Sequence, residues 1–466
     1  MNHTVYEKSK NHNIEMKSDK EELIRLADEE EKFYDVLSYE DDKFKIFSKC
    51  VNLNKEVLEI FNNVRSDRNI LEDFKNLFSR EKVNGSEEKS VGHHKYRSTS
   101  FKKIIDLASK IKRKLKQRNF KNIVIIGTGG SIEGNRVLYD SFYGNSKKEF
   151  NFRFISGSDK KEFEEATESL NKEETCFFVV SKSFKTAEVL FNLDLAKKWV
   201  PETHMKSFWG ITSSKEGAIS NDLLSDQIIS FPDDIGGRYS IWSEVCLPLL
   251  IELDSSIVDF FKGGGLVDEL VLKEKRFLKF LIKLSIIDLW NSNFLGKVNK
   301  VILSYSWKLR NIPNYIQQLE MESLGKPPNS ESIFEKTGQT LYGGYGPKAQ
   351  HSIFQLLNQG TSQTCADLIY ISESDNLNLA QVNSSFNLFT DNENQKDDIL
   401  SVNSNIPSTI FEIKTLDPFS LGMLLTIFEH KVFISSRFLK INPFDQFGVE
   451  KGKKKTMELL ESFDSS

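Results

Sequence analysis

The chain has 466 residues, more than one hydrophobic core usually organises, which implies about two to three domains. Lys and Arg total 63 against 67 Asp and Glu, a formal charge of −4, so no global field exists for capturing nucleic acid or an anionic membrane. Four widely separated cysteines, Cys50, Cys176, Cys246 and Cys365, have no CxxC spacing and no histidine at ligand spacing, which gives no sign of a disulfide framework or a zinc site. The N-terminal residues lack the apolar core of a signal peptide, and no apolar run approaches the ~18 residues needed to span a bilayer; a cytoplasmic protein is expected.

From Lys20 to about Arg80 the chain is charged, with apolar residues at helical intervals in "ELIRLADEEEKFYDVL" and "VLEIFNNVRSDRNILEDFKNLF". This predicts packed helices, and an N-terminal helical segment over residues 1–95. The polar, turn-rich "EKVNGSEEKS" (residues 81–90) leads to the boundary near residue 95. Short apolar runs then alternate with amphipathic segments: "NIVIIG" at 122–127, "FRFIS" at 152–156, "CFFVVS" at 176–181 and "SFWGIT" at 207–212. That is the pattern of a buried parallel sheet. After the helical "RFLKFLIKLSIIDLW" a second series follows, "KVILS" at 300–304, "LIYIS" at 368–372 and "KVFISS" at 431–436. Two α/β domains are implied, 96–260 and 261–466, meeting near Asp254 to Gly265, the second with a C-terminal helical tail. The polar stretch Asn387 to Asn405 reads as a surface loop.

Six stretches can carry chemistry. "NIVIIGTGGSIEGN" runs from a strand through Gly127, Gly129, Gly130 and Ser131 into a helix, which either aims backbone N–H groups at an anion or is a tight turn that binds nothing. It is neither a dinucleotide fingerprint, because Ile132 stands where glycine is required, nor a Walker A loop, because Asn135 follows Gly134 where lysine is required. "VVSKSFKTAEVL" crowds Ser181, Ser183 and Thr186 around Lys182 at a second strand-to-helix turn; capping explains one hydroxyl, and three with the first helical N–H groups can hold a phosphate. "DDIGGRYSIW" sets Arg238 after Gly236 and Gly237, a permanent cation suited to a developing oxyanion, or else a partner for Asp233 or Asp234. In "IQQLEMESLGK", Glu320 and Glu322 are two apart and do not share a helix face, so a catalytic carboxylate here works alone. His351 in "GYGPKAQHSIFQLLNQGT", and Gln446, Glu450 and Lys453 in "INPFDQFGVEKGKK", are individually weak signals.

Taken together and in order, "GGRYSIWS", "MESLGK", "QHSIFQL" with "NQGT", and "FDQFGVEKGK" resemble the glucose-6-phosphate isomerase family, with "SEEKSVGHHKYR" as a looser match. The resemblance implies two sugar-isomerase (SIS-type) three-layer α/β/α domains with mainly parallel sheets, plus N-terminal helices and a C-terminal helix. It implies interconversion of glucose 6-phosphate and fructose 6-phosphate, a glycolytic and gluconeogenic step, without metal or organic cofactor. It also implies a homodimer with shared active sites and a small sugar phosphate as the partner, with no nucleic acid and no membrane. Ser131, Ser181, Ser183 and Thr186 would hold the phosphate with the backbone around Lys182, and Gly237 would lie close to the substrate. Glu322 would move the proton between C1 and C2, and Arg238 would stabilise the enediolate. His351, from the partner subunit, and Lys453 would assist ring opening, with Gln318 and Gln446 contacting substrate. The chain departs from the family pattern at Glu133, Val189, Lys348, Ala349 and Phe447. Two competing readings are a non-catalytic sugar-phosphate-binding protein of the same fold and an isomerase for another phosphosugar, such as mannose 6-phosphate.

Overall fold

The computed structural model describes residues 16–28, 34–51, 53–64, 69–79, 81–143, 149–253, 257–390, 403 and 406–464. Among them eleven strands form two sheets: β1 (Tyr34–Glu40), β2 (Phe44–Val51), β3 (Asn122–Ile126), β4 (Asn151–Ile155), β5 (Thr175–Val180), β6 (Phe208–Thr212), β7 (Ile228–Ser230), β8 (Asn299–Ser304), β9 (Thr340–Tyr345), β10 (Thr364–Ile371) and β11 (Ser408–Ile413). The chain separates into two compact units, Arg80–Gly265 with Phe444–Ser466, and Met1–Ser79 with Leu266–Pro443.

The first of these units carries the all-parallel sheet β4-β3-β5-β6-β7. Strand residues alternate between its faces, and both faces are apolar. Val124, Ile126, Phe177 and Val179 pack with Phe163, Val189 and Leu193 from helices Lys160–Thr167 and Ala187–Trp199. Ile123, Ile125, Phe178 and Val180, pointing the other way, are also fully buried. Burial on both sides explains why these strands read as continuous apolar runs. The chain steps from β3 to β4 and then returns past β3 to β5, so the order reverses between β3 and β5. The crevice outside the carboxyl ends of two such strands is where open α/β sheets bind ligands.

The second unit holds the six-stranded sheet β1-β2-β11-β10-β8-β9, parallel from β11 to β9, with β1 and β2 antiparallel at its edge. One face packs Val301, Leu303 and Leu368 against Phe354, Val382, Phe386 and Phe389. Here too the order reverses, with β9 on one side of β8 and β10 on the other.

The two-domain α/β architecture agrees with the sequence reading, but several elements do not. The N-terminal segment is not wholly helical. A helix covers 16–27 and helices Lys55–Val64 and Ile70–Phe78 are present, yet β1 and β2 lie between them. In β2 the buried Phe44, Ile46, Ser48 and Cys50 alternate with more exposed neighbours, a period of two masked by lysines at 45 and 49. Nor does this segment stand as a unit over 1–95, because β2 pairs with β11 and joins the six-stranded sheet. "KVFISS" is no strand; it lies within helix Pro418–Phe438, which is buried nearly all round, so its apolar run carries no helical periodicity. Asp417 caps that helix through a reciprocal bond with Ser420, with Pro418 at its first position. Strands β9 and β11 went unread. In β9, Gly343 has φ +149°, and a Cβ there would sit 1.9 Å from the Ile302 carbonyl oxygen, so glycine replaces the β-branched residue that signals a strand. Finally, Phe444–Ser466 groups with the β3–β7 unit and not with 261–443. Of the expected surface loop at Asn387–Asn405, residues 387–390 end helix Asn376–Thr390, and nearly all the rest lies outside the described residues.

Removing residues 1–53 strips β2 from β11 and leaves a long unpaired edge. We expect the truncated protein to aggregate and to unfold at lower urea than the full chain; an unchanged midpoint by circular dichroism would show the segment to be independent of the sheet.

Candidate active site

The site in the β3–β7 unit is built on one close backbone contact. Helix Gly130–Phe142 leaves β3, and a Cβ on Gly130 would lie 1.9 Å from the carbonyl oxygen of Gly237. Only glycine allows the two segments to meet. The Ser240 hydroxyl, which lies 3.0 Å from the Gly130 carbonyl oxygen and 2.7 Å from that of Gly237, fastens them from the side. Ser131 therefore sits in the first turn of a helix, its N–H donating to the Thr128 carbonyl oxygen at 3.2 Å, with Arg238 on the segment alongside.

The turn after β5 stands next to it, because β3 and β5 are paired neighbours. Ser181 is buried; its Oγ accepts from the Phe184 N–H at 3.1 Å and lies 3.3 Å from Thr186 Oγ1. Phe184 has φ +50° and turns the chain sharply, so that Ser183 is exposed. Thr186 is the N-cap of helix Ala187–Trp199, and no capping bond to the helix ties down its hydroxyl. Ser131 in one first helical turn, and Ser181, Ser183 and Thr186 in the turn before another helix, thus follow two adjacent strands at the switch point, a combination suited to a phosphate.

Arg238 is buried, at 2% exposure, yet strongly held. Its Nη1 donates to Gln446 Oε1 at 2.9 Å and its Nη2 to the Asp445 carbonyl oxygen at 2.9 Å. These bonds explain why the chain from Phe444 belongs to this unit. The nearby carboxylates have their own cations: Asp233 pairs with Lys89 at 3.1 Å and Asp234 with Lys95 at 2.8 Å. Lys182 donates from Nζ to the carbonyl oxygens of Asp233 (2.7 Å) and Ile235 (3.0 Å). Burial, and then the charge of Lys89, hold its ammonium below the usual lysine range. A pocket lined by Asn84, Lys89, Lys182, Asp234, Gly237 and Gln446 opens beside Arg238. Lys182, Gly237 and Gln446 are among the residues expected from the sequence; Asn84, Lys89 and Asp234 are not.

Two of the departures have a clear structural outcome. Glu133 pairs with Arg136 at 3.4 Å, and Arg136 Nη2 reaches Ser156 Oγ at 3.3 Å. Burial pushes the Glu133 carboxyl up, with Arg136 opposing. Val189 is a core residue packed under the sheet. Lys453 stands apart from the group, exposed on helix Phe447–Asp464 with its Nζ 2.9 Å from Glu450 Oε1.

In the other unit, Gln318 and Glu322 lie one turn apart on helix Ile312–Leu324, with Gln318 Nε2 3.4 Å from Glu322 Oε1. Lys326 closes that helix by donating to the carbonyls of Glu322 and Ser323 at 2.6 and 3.0 Å. Glu322 is half-buried, whereas Glu320 is 3% exposed and meets Lys300 (3.3 Å) and Lys431 (3.7 Å). Asp288 and Asp367 complete this cluster between the sheet and helices Lys275–Asn293, Ile312–Leu324 and Pro418–Phe438. Burial works against charge on Lys300, but Asp288, Glu320 and Asp367 outweigh it and hold the ammonium well above its usual range; burial pushes Asp367 up. His351 is exposed in the turn after helix Gly346–Ala349.

The phosphoglucose isomerase family model matches residues 109–466. The chain belongs to the phosphoglucose isomerase family. It is 29% identical over 472 residues to a glucose-6-phosphate isomerase of Acinetobacter baylyi, covering 89% of this chain and 85% of the relative. It is 30% identical over 445 residues to one of Legionella pneumophila, covering 89% and 88%. The crystal structure of a glucose-6-phosphate isomerase from Chlamydia trachomatis shares the fold, with a TM-score of 0.80 at 23% identity over 96% of this chain and 92% of that one. The family match spans every candidate site residue from Ser131 to Lys453.

Gly130→Ala forces the Gly237 segment away, and we expect phosphate binding by calorimetry to weaken by an order of magnitude or more, about 1.4 kcal/mol; unchanged binding would dissociate the cradle from this contact. Lys300→Met leaves the buried carboxylates short of a cation and should cost about 3–5 kcal/mol in urea denaturation.

Proposed function

We propose that this chain interconverts glucose 6-phosphate and fructose 6-phosphate by ring opening and proton transfer through an enediol. What supports the reading is that hydroxyl-bearing helix N-termini follow the adjacent strands β3 and β5 at the switch point of one sheet, the first packed against the segment of the buried Arg238, in a member of the phosphoglucose isomerase family. The phosphate is held by Ser131, Ser181, Ser183 and Thr186. Holding it far from the reacting carbons supplies binding energy that orients the sugar.

Glu322 is the base. A single carboxylate takes the proton from one carbon and returns it to the next, provided exchange with water is slow. Arg238 stays charged throughout and stabilises the enediolate as a fixed cation. His351 from the partner subunit and Lys453 assist ring opening, and Gln318 and Gln446 position the sugar. The working protein is a cytoplasmic homodimer with shared sites, which agrees with the exposure of Lys453 and His351 in a single chain.

Glu322→Gln keeps shape and removes the base. Formation of fructose 6-phosphate should fall by about 10²–10⁴-fold, with sugar-phosphate binding retained. A parent protein that binds the sugar phosphate but shows no turnover would contradict the reading and leave a binding protein. Comparing glucose 6-phosphate with mannose 6-phosphate as substrate fixes the epimer preference.

A further inference from the structure

Lys182 sits between the two hydroxyls Ser181 and Ser183, where a lysine is naturally read as a phosphate ligand. Its geometry says otherwise. The ammonium is turned to the other side and donates to two main-chain carbonyls, those of Asp233 at 2.7 Å and Ile235 at 3.0 Å. These carbonyls belong to the loop that ends in Gly236, Gly237 and Arg238. The main chain of Lys182 is fixed as well, since its carbonyl oxygen accepts from the Ser213 N–H at 3.1 Å and from Thr212 Oγ1 at 3.0 Å. A short, anchored stem therefore joins the β5 turn to the Arg238 loop.

The same loop is held at other points. The Gly92 N–H donates to the Asp234 carbonyl oxygen at 3.0 Å, Lys95 and Ser90 reach its carboxylate, and Lys89 pairs with Asp233. All of these come from residues 89–95, which carry none of the proposed phosphate ligands. Lys182 links the loop to the turn where the phosphate is expected. Around its ammonium stand Lys89, Glu87, Asp233 and Asp234, so one neighbouring cation is balanced by three carboxylates.

We propose that Lys182 is a positioning residue, whose ammonium ties the Ser181–Thr186 turn to the Arg238 loop so that a phosphate on the turn fixes the guanidinium over the reacting carbons. This rests on the isomerase reading above. It gives phosphate binding a physical route to turnover: ordering the turn orders the carbonyls bonded to Lys182, and hence the cation that meets the enediolate. Charge-assisted bonds to two acceptors on one loop resist both sliding and rotation.

The test measures kcat for glucose 6-phosphate and the inhibition constant of inorganic phosphate in the parent, Lys182→Met and Lys182→Arg, with melting temperature as the check on folding. Lys182→Met should lose more than about tenfold in kcat, as a misplaced catalytic group does, while the phosphate inhibition constant moves less than about threefold. Lys182→Arg, which can donate to both carbonyls, should recover most of kcat. A smaller loss of kcat, a larger change in the phosphate constant, or no recovery by arginine overturns the proposal, the second marking Lys182 as a direct ligand. If Lys182→Met does not fold, Lys182→Gln is judged by the same limits. A parent without turnover sinks the isomerase reading itself; an active parent with an unaffected variant sinks this inference alone.

Discussion

The contact between the backbones of Gly130 and Gly237 is the constraint on which the β3–β7 site depends. With a side chain on Gly130, the helix following β3 and the segment preceding Arg238 could not approach to their observed separation. With glycine there, the helix after β3 packs against the Arg238 segment, and the hydroxyl-rich turn after β5 follows the neighbouring strand. The arrangement needs little net charge. Hydroxyls and oriented N–H groups are suited to an anion, while the formal cations Lys89, Lys95 and Lys182 are occupied in holding the loop.

Glu320 and Glu322 show how two carboxylates two residues apart acquire opposite fates. On helix Ile312–Leu324 they face different directions. Glu320 points inward to Lys300 and Lys431, where removing one charge strands the others. Glu322 lies half-buried beside Gln318, away from that cluster. The inward cluster also secures the helix against β8 and helix Pro418–Phe438, so the carboxylate proposed as base is carried on a rigid element.

Much of this was legible in the sequence, for identifiable reasons. The central strands β3, β5 and β6 are buried on both faces, so each is a short apolar run bounded by turn residues. Ser181, Ser183 and Thr186 were noticeable because capping requires one hydroxyl and the turn has three. What was missed lacks a local signal. Helix Pro418–Phe438 is apolar on nearly every side, so part of it resembled a strand. β2 alternates with a period of two, but its outward lysines made it resemble a charged helix, and only pairing with β11, some 360 positions away, gives it a place. Long-range bonds such as Arg238 to Asp445 and Lys182 to Asp233 leave no trace in spacing at all.

The position of the phosphate group in a crystal structure of the protein with fructose 6-phosphate tests the account most directly. Phosphate oxygens within hydrogen-bonding distance of Ser131, Ser181 and Thr186, with Arg238 directed at the C1 and C2 end, is the result it predicts. A phosphate bound away from the β3 and β5 turns, in a protein that nonetheless turns over, would contradict it.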